Sequence, residues 1–131
     1  EQLDRFIGYK NHPLLKDIDA IDTYMGKFLF IKCHSHILRF SNDYDGLYKN
    51  NLQMLTLMEQ YPQHHFNVMG NYMDALSSVL AAAHNIGRYD EYDDLLHKLN
   101  NLPKDKFKDE ATIATNILQY KILYFIKRRK L

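Results

Sequence analysis

The chain has 131 residues, 46% of them hydrophobic, which is enough for one compact domain, or about three helical hairpins, and too little for several independent domains. A formal net charge of +1, with 25% charged residues of both signs, leaves no overall field that selects nucleic acid or an acidic substrate. The single cysteine, Cys33, excludes an internal disulfide and fits a reducing compartment, and no apolar run reaches the roughly 18 to 20 residues that a bilayer span needs. The cytoplasm is therefore the expected location, with no membrane partner. The first residue is Glu1 rather than methionine, so the expected organisation is a single domain over residues 1–131, excised from a longer protein.

Leu3, Phe6 and Ile7 can form a short opening helix, stopped by Gly8 and the Asn11-His12-Pro13 turn. From Leu14 to Phe40 one long helix is expected. Its apolar stripe is Ile18, Ile21, Tyr24, Met25, Phe28, Ile31, Ser35 and Leu38, and Gly26 is its weak point. Ser41-Asn42-Asp43 is a turn and cap cluster, in which Asn42 or Asp43 accepts the free N–H groups of a second helix. That helix carries Tyr44, Leu47, Tyr48, Leu52, Leu55 and Met58 on its buried face and stops before Pro62. A third helix, from about His64 to Ile86, places Met73, Leu76, Val79, Leu80, Ala83 and Ile86 on one face. Ala81, Ala82 and Ala83 are small enough for another helix to approach closely, and Gly87 sits where helices commonly end with a left-handed residue. Asp90 and Glu91 suit the positive end of a fourth helix, whose face is Tyr92, Leu95, Leu96, Leu99 and Leu102, closed by Pro103. A last helix, from about Lys104 to Lys130, has Ala111, Ala114, Ile117, Leu118, Ile122, Phe125 and Ile126 as its apolar stripe.

Two of these hairpins echo one another. Tyr44-Asp45 and Tyr89-Asp90 open their second helices, and Pro62 and Pro103 follow them, each with a phenylalanine four residues on, Phe66 and Phe107. The period is about 41 to 45 residues, longer than the roughly 34 of a regular tetratricopeptide repeat. The run Gly87-Arg88-Tyr89-Asp90-Glu91, followed by Tyr92, Leu96 and Pro103, resembles the second half of such a repeat, in which a Gly-x-Tyr turn joins two helices and a proline begins the turn to the next. Tyr92 and Leu99 stand where the family has small residues, and Leu76 where it has a bulky aromatic. The longer period fits a divergent member with longer helices, or another α-solenoid. The resemblance implies an all-α fold of about five long helices, in antiparallel hairpins stacked as a right-handed solenoid, with the first helix of each hairpin lining a concave surface that holds a peptide or a partner helix.

Candidate contact residues are the polar ones on those first helices that fall off the apolar stripe: Lys32, Arg39, Asn67, Asn71, Asp74, Ser78, Asn116 and Gln119. Asn67, Asn71, Asp74 and Ser78 recur at steps of four and three and form a ridge. Asparagine in such a groove can hydrogen-bond an extended peptide's main chain, though each of these residues also reads as solvated surface. The run Ile122-Leu123-Tyr124-Phe125-Ile126 leaves little room for a solvated face, so either a further repeat covers it or Ile122, Phe125 and Ile126 meet another copy in a homo-oligomer.

Chemistry is harder to find. Cys33-His34-Ser35-His36 places its imidazoles and thiol one and two residues apart on a helix, where they point in different directions, so no metal is expected. Asp17, Asp19 and Asp22 read as first-turn charges of the first long helix, and Asp90, Glu91, Asp93 and Asp94 as ordinary helix charge placement. Lys127-Arg128-Arg129-Lys130 suits a helix C-terminus and is not taken as a nucleic-acid site. There is no G-x-S-x-G, no phosphate-cradling loop and no H-E-x-x-H, so neither an enzyme nor a cofactor is expected. Two functions follow: a scaffold for protein–protein interaction, or a regulatory or sensor domain of the same architecture, such as that of a transcriptional regulator, which takes a signal peptide or dimerises.

Overall fold

The computed structural model describes residues 4–5, 8–9, 11–65, 69–102 and 110–129, except for the side chains of residues 63, 65, 69–71, 110 and 112–113. Leu3, Phe6, Ile7, Phe66, Pro103 and Phe107 lie outside the described residues. Within them the chain is all-helical, as expected. A 3-10 turn at Pro13–Leu15 is followed by α1 (Tyr24–Phe40), α2 (Tyr44–Gln60), a single turn at Pro62–His65, α3 (Met69–Ile86), α4 (Tyr92–Asn100) and α5 (Glu110–Arg129).

The first long helix begins at Tyr24, not at Leu14. Asp17 competes for the backbone upstream, its Oδ1 accepting the Asp19 N–H at 2.9 Å, and Thr23 then takes the cap, its Oγ1 accepting from Gly26 N–H at 3.1 Å. Asp17, Asp19 and Asp22 therefore precede the helix instead of occupying its first turn. Gly26 is no weak point in mid-helix. It is the third residue of α1, and a Cβ there would stand 2.6 Å from Ile21 Cγ2. Asp43 caps α2 in the same way, accepting from Gly46 N–H at 2.9 Å, with Asn42 at a positive φ of 54° in the turn before it. Gly87 (φ 73°) ends α3 in a Schellman arrangement: Arg88 N–H reaches Ala83 O at 2.9 Å and Gly87 N–H reaches His84 O.

The centre of the core is α2, with α1 packed on one side and α3 on the other. Ile31, Tyr48, Met58, Leu76, Val79, Leu80, Tyr92 and Leu99 are fully buried. Each contributes about 1.5 to 3 kcal/mol in the usual range for a large apolar side chain. Hydrogen bonds fix the directions. Tyr72, early in α3, donates to Glu59 at the end of α2, so these helices are antiparallel. Tyr48, early in α2, donates to Glu91 just before α4, while Lys98 late in α4 pairs with Glu59 at 2.7 Å, so α2 and α4 are parallel. Tyr120 reaches Ser77, and the nearby Lys127 charge adds to burial in lowering the His84 pKa; the two pairs have the same sequence separation, so α5 runs parallel to α3.

The buried face of α5 differs from expectation. Tyr120 is buried and Ile117, Leu123 and Tyr124 pack against the core, whereas Ala111, Ala114, Leu118, Ile122, Phe125 and Ile126 are exposed. Aromatic stacking decides it, for Tyr124 lies flat against Tyr92 at 5.3 Å and tilts over Tyr89 at 5.8 Å.

Burial, then the hydrogen bond to Glu91, pushes the Tyr48 phenol from its ordinary 10.0 up to about 12. A raised folded-state pKa supplies stability that is complete below pH 10 and lost as pH rises toward 12. Urea unfolding should therefore weaken across that window, with Tyr48 contributing on the order of 2 kcal/mol, and Tyr48→Phe should show a shallower decline. Equal slopes in the two proteins would show that Tyr48 does not carry this titration.

Candidate partner-binding groove

Between α1 and α3, over the face of α2, lies an open groove of about 570 Å³. Its α1 wall is Phe28, Lys32, Ser35, His36 and Arg39, at helical steps of three and four. Its α3 wall is Asp74, Ala75, Ser78, Ala81, Ala82 and Asn85, mostly small residues that let another chain approach the backbone. Leu47, Asn51 and Met54 of α2 form the floor, and Tyr120 of α5 stands at the edge beside Ser77. Burial raises the pKa of the Tyr120 phenol, which donates to the Ser77 carbonyl at 2.9 Å.

A polar chain runs beneath this apolar lining. Asn50 Nδ2 donates to the Ile31 carbonyl at 2.9 Å and to Ser35 Oγ at 2.7 Å. Having accepted that proton, the Ser35 hydroxyl gives its own to Asn51 Oδ1 at 2.9 Å. With its oxygen placed toward Ser35, the Asn51 amide nitrogen faces the other way. There Asn51 Nδ2 finds no acceptor among the described residues, and neither does Ser77 Oγ find a partner. Asn51 is only 5% exposed. Leaving such a buried donor unpaired costs about 1 to 3 kcal/mol, which a leucine at the same place would avoid.

Of the residues expected to contact a partner, Lys32, Arg39, Asp74 and Ser78 come together on this groove. Asn116 and Gln119 sit on α5 away from it, half-buried and exposed respectively. Asn67 and the side chain of Asn71 are outside the described residues. Lys32 is exposed and lies over the Phe28 ring at 5.5 Å. Missing from the expected set are Asn51, Ser77 and Ser35. Asn51 did carry a signal, for it falls four residues from both Leu47 and Leu55, in the middle of an apolar stripe.

The other clusters are ordinary. No three of His, Cys, Asp and Glu converge among the described residues. His34 stacks on Phe30 at 4.3 Å while His36 and Cys33 are exposed. Arg88 lies 3.7 Å from both Asp90 and Glu91, and Tyr124 donates to Asp93, so the acidic turn is answered locally. No described helix is long and apolar enough to cross a membrane.

The Tyr120 phenol ties α5 to α3 at the rim of the groove. Removing it in Tyr120→Phe should lower the unfolding free energy by about 1 kcal/mol in urea titration, and no change would show that the hydroxyl is not a tie. Compared with protein-family models, with curated proteins and with solved structures, the chain matches none of them.

Proposed function

We propose that the chain is a scaffold for protein–protein interaction, built as a divergent tetratricopeptide-like array, which holds a peptide or a segment of a partner protein in the groove between α1 and α3. The helix directions support the array: α3 runs antiparallel to α2, α4 runs parallel to α2, and α5 runs parallel to α3. The single observation that carries the function is the convergence of Lys32, Arg39, Asp74 and Ser78 on one open groove with small residues along one wall. Mixed apolar and polar lining, with a few orienting groups, is the character of a recognition site rather than of a core defect. Among the described residues, those lining the groove offer binding contacts rather than a nucleophile and base in hydrogen-bond reach of each other.

Panning a displayed library of 12-residue peptides on the 131-residue chain tests this directly. Ala81→Trp, at a half-buried wall position, fills the groove. Enriched peptides should lose at least about tenfold in affinity against this variant while its urea midpoint stays close to that of the parent. No enrichment, or binding indifferent to the plug, would sink the proposal.

A specific observation favours a second reading, the regulatory domain that dimerises. Leu118 is 60% exposed, Phe125 59% and Ile126 51%, on one side of α5. Light scattering on the chain and on a Phe125→Asp, Ile126→Asp double variant decides it. A dimer that becomes a folded monomer supports self-association through α5, and a monomer in both cases removes it.

A further inference from the structure

We infer that the outward face of α5 is a docking surface for an anionic lipid membrane, on which the helix lies flat with Leu118, Ile122 and Phe125 in the apolar layer and Lys121, Arg128 and Arg129 among the headgroups. This goes beyond the groove reading and does not rest on it.

The face is fixed by what holds the opposite side of the helix. Tyr120 donates to the Ser77 carbonyl at 2.9 Å, Tyr92 donates to the Tyr120 carbonyl, and Tyr124 stacks on Tyr92 at 5.3 Å. These contacts tie one side of α5 to α3 and α4, and Leu118, Ile122 and Phe125, which follow one another at steps of four and three, stand on the other. Turning them inward would break all three ties. They and Ile126 beside them remain about half exposed or more, and a contiguous apolar row of this kind marks an interaction surface.

Charge selects the occupant. Within α5, Lys121, Lys127, Arg128 and Arg129 gather toward the end, and the one carboxylate, Glu110, is at the start. Lys121 and Arg128, seven residues apart, border the apolar row along one edge, and Arg129 continues the row itself. Neither Lys121 nor Arg129 forms an ion pair among the described residues. The surface therefore calls for an occupant that is apolar and anionic at once. A second copy brings the same cations: antiparallel pairing sets the two Lys121–Arg128 edges side by side, and parallel pairing sets Arg129 against Arg129, so both repel. A lipid interface has the opposite sign. Lysine and arginine carry their charges up to the phosphates while their stems stay in the apolar layer.

Shape agrees with charge. None of the four apolar residues lines the groove between α1 and α3 or the smaller cleft beside Ile18. A convex helix surface offers a folded partner little to key into, whereas fluid hydrocarbon needs no complementary cavity. That no described helix is long and apolar enough to cross a membrane bears on spanning a bilayer, not on lying in its surface.

Co-sedimentation of the 131-residue chain with vesicles of phosphatidylcholine, with and without phosphatidylglycerol, provides the test. The chain should pellet with the anionic vesicles and not with the neutral ones, and raising NaCl should release it. Phe125→Ser plus Ile126→Ser removes apolar area without adding charge, and Lys121→Gln plus Arg129→Gln removes two cations worth about fivefold each. Each double variant should lose about tenfold or more in vesicle affinity while its urea midpoint stays that of the parent. The chain has no tryptophan, so Leu118→Trp supplies a lone reporter on the row, whose emission should shift to the blue on anionic vesicles. Ala81→Trp, which plugs the groove, should bind vesicles as the parent does, so the two readings stand or fall separately. No pelleting with anionic vesicles, pelleting that survives Phe125→Ser plus Ile126→Ser, or unshifted emission from Leu118→Trp overturns the inference. A dimer that Phe125→Ser plus Ile126→Ser converts to a monomer, with no vesicle binding by the parent, gives the face to a second copy and overturns it too.

Discussion

Hydroxyls of buried tyrosines tie α2 to the start of α4 and α4 to α5, and so fix the register of the later helices. Tyr48 in α2 and Tyr92 in α4 are both essentially inaccessible, 1% and 0% exposed. A buried phenol must find a partner or bear the cost of desolvation. Tyr48 finds it in Glu91, just before α4, and Tyr92 finds it in the backbone carbonyl of Tyr120, in the helix beyond. Leucine at either place would bury as much apolar surface and leave the neighbouring helix free to slide. The hydroxyls make sliding costly, because moving one turn leaves each oxygen unanswered. Arg88 reinforces the first tie, lying over the Tyr48 ring at 5.1 Å while facing Glu91.

The groove lies between α1 and α3, over α2. Both helices pack on α2, but toward each other α3 presents alanine and serine, which cannot fill the space. An uncommitted core would close such a gap with larger side chains. Here the gap is kept, and beside it Asn50 and Asn51 on one helix and Ser35 on another satisfy one another, with the Asn51 nitrogen left over. A half-satisfied polar network is less stable than an apolar one of the same shape. Here it stands beside an open groove lined by Lys32 and Arg39.

Helices whose apolar residues outnumber the alternatives were legible in the sequence. The buried face of α4, the Gly87 stop and the Asp43 cap follow from spacing and from the chemistry of single residues, and they stand as expected. The start of α1 was not legible in the same way. Apolar periodicity continues upstream through Ile18 and Ile21, but an Asp-x-Asp turn and a threonine cap outcompete it, and hydrogen bonds of that kind leave no trace in a hydrophobic pattern. The four candidate residues that line the groove, Lys32, Arg39, Asp74 and Ser78, were singled out as polar positions off the apolar stripes of the first helices. Asn51 escaped the same rule, since it lies on the buried stripe of a second helix and only its unanswered nitrogen marks it out.

The face of α5 shows why aromatic helices defeat periodicity. Ile117, Leu118, Ile122, Phe125 and Ile126 make a plausible stripe, and a stripe built from Ile117, Tyr120, Leu123 and Tyr124 is equally regular. Counted by hydropathy, the first wins because tyrosine scores as half polar. Counted by what the neighbouring helix offers, the second wins, for Tyr89 and Tyr92 present ring faces to Tyr124, and Ser77 presents a carbonyl to Tyr120. A tyrosine is placed by two needs at once, a flat apolar neighbour for the ring and an acceptor for the hydroxyl. Both needs are met only on the inward side, and meeting them turns Phe125 and Ile126 outward. The exposed apolar face of α5 is thus a consequence of the same tyrosine chemistry that ties the layers together.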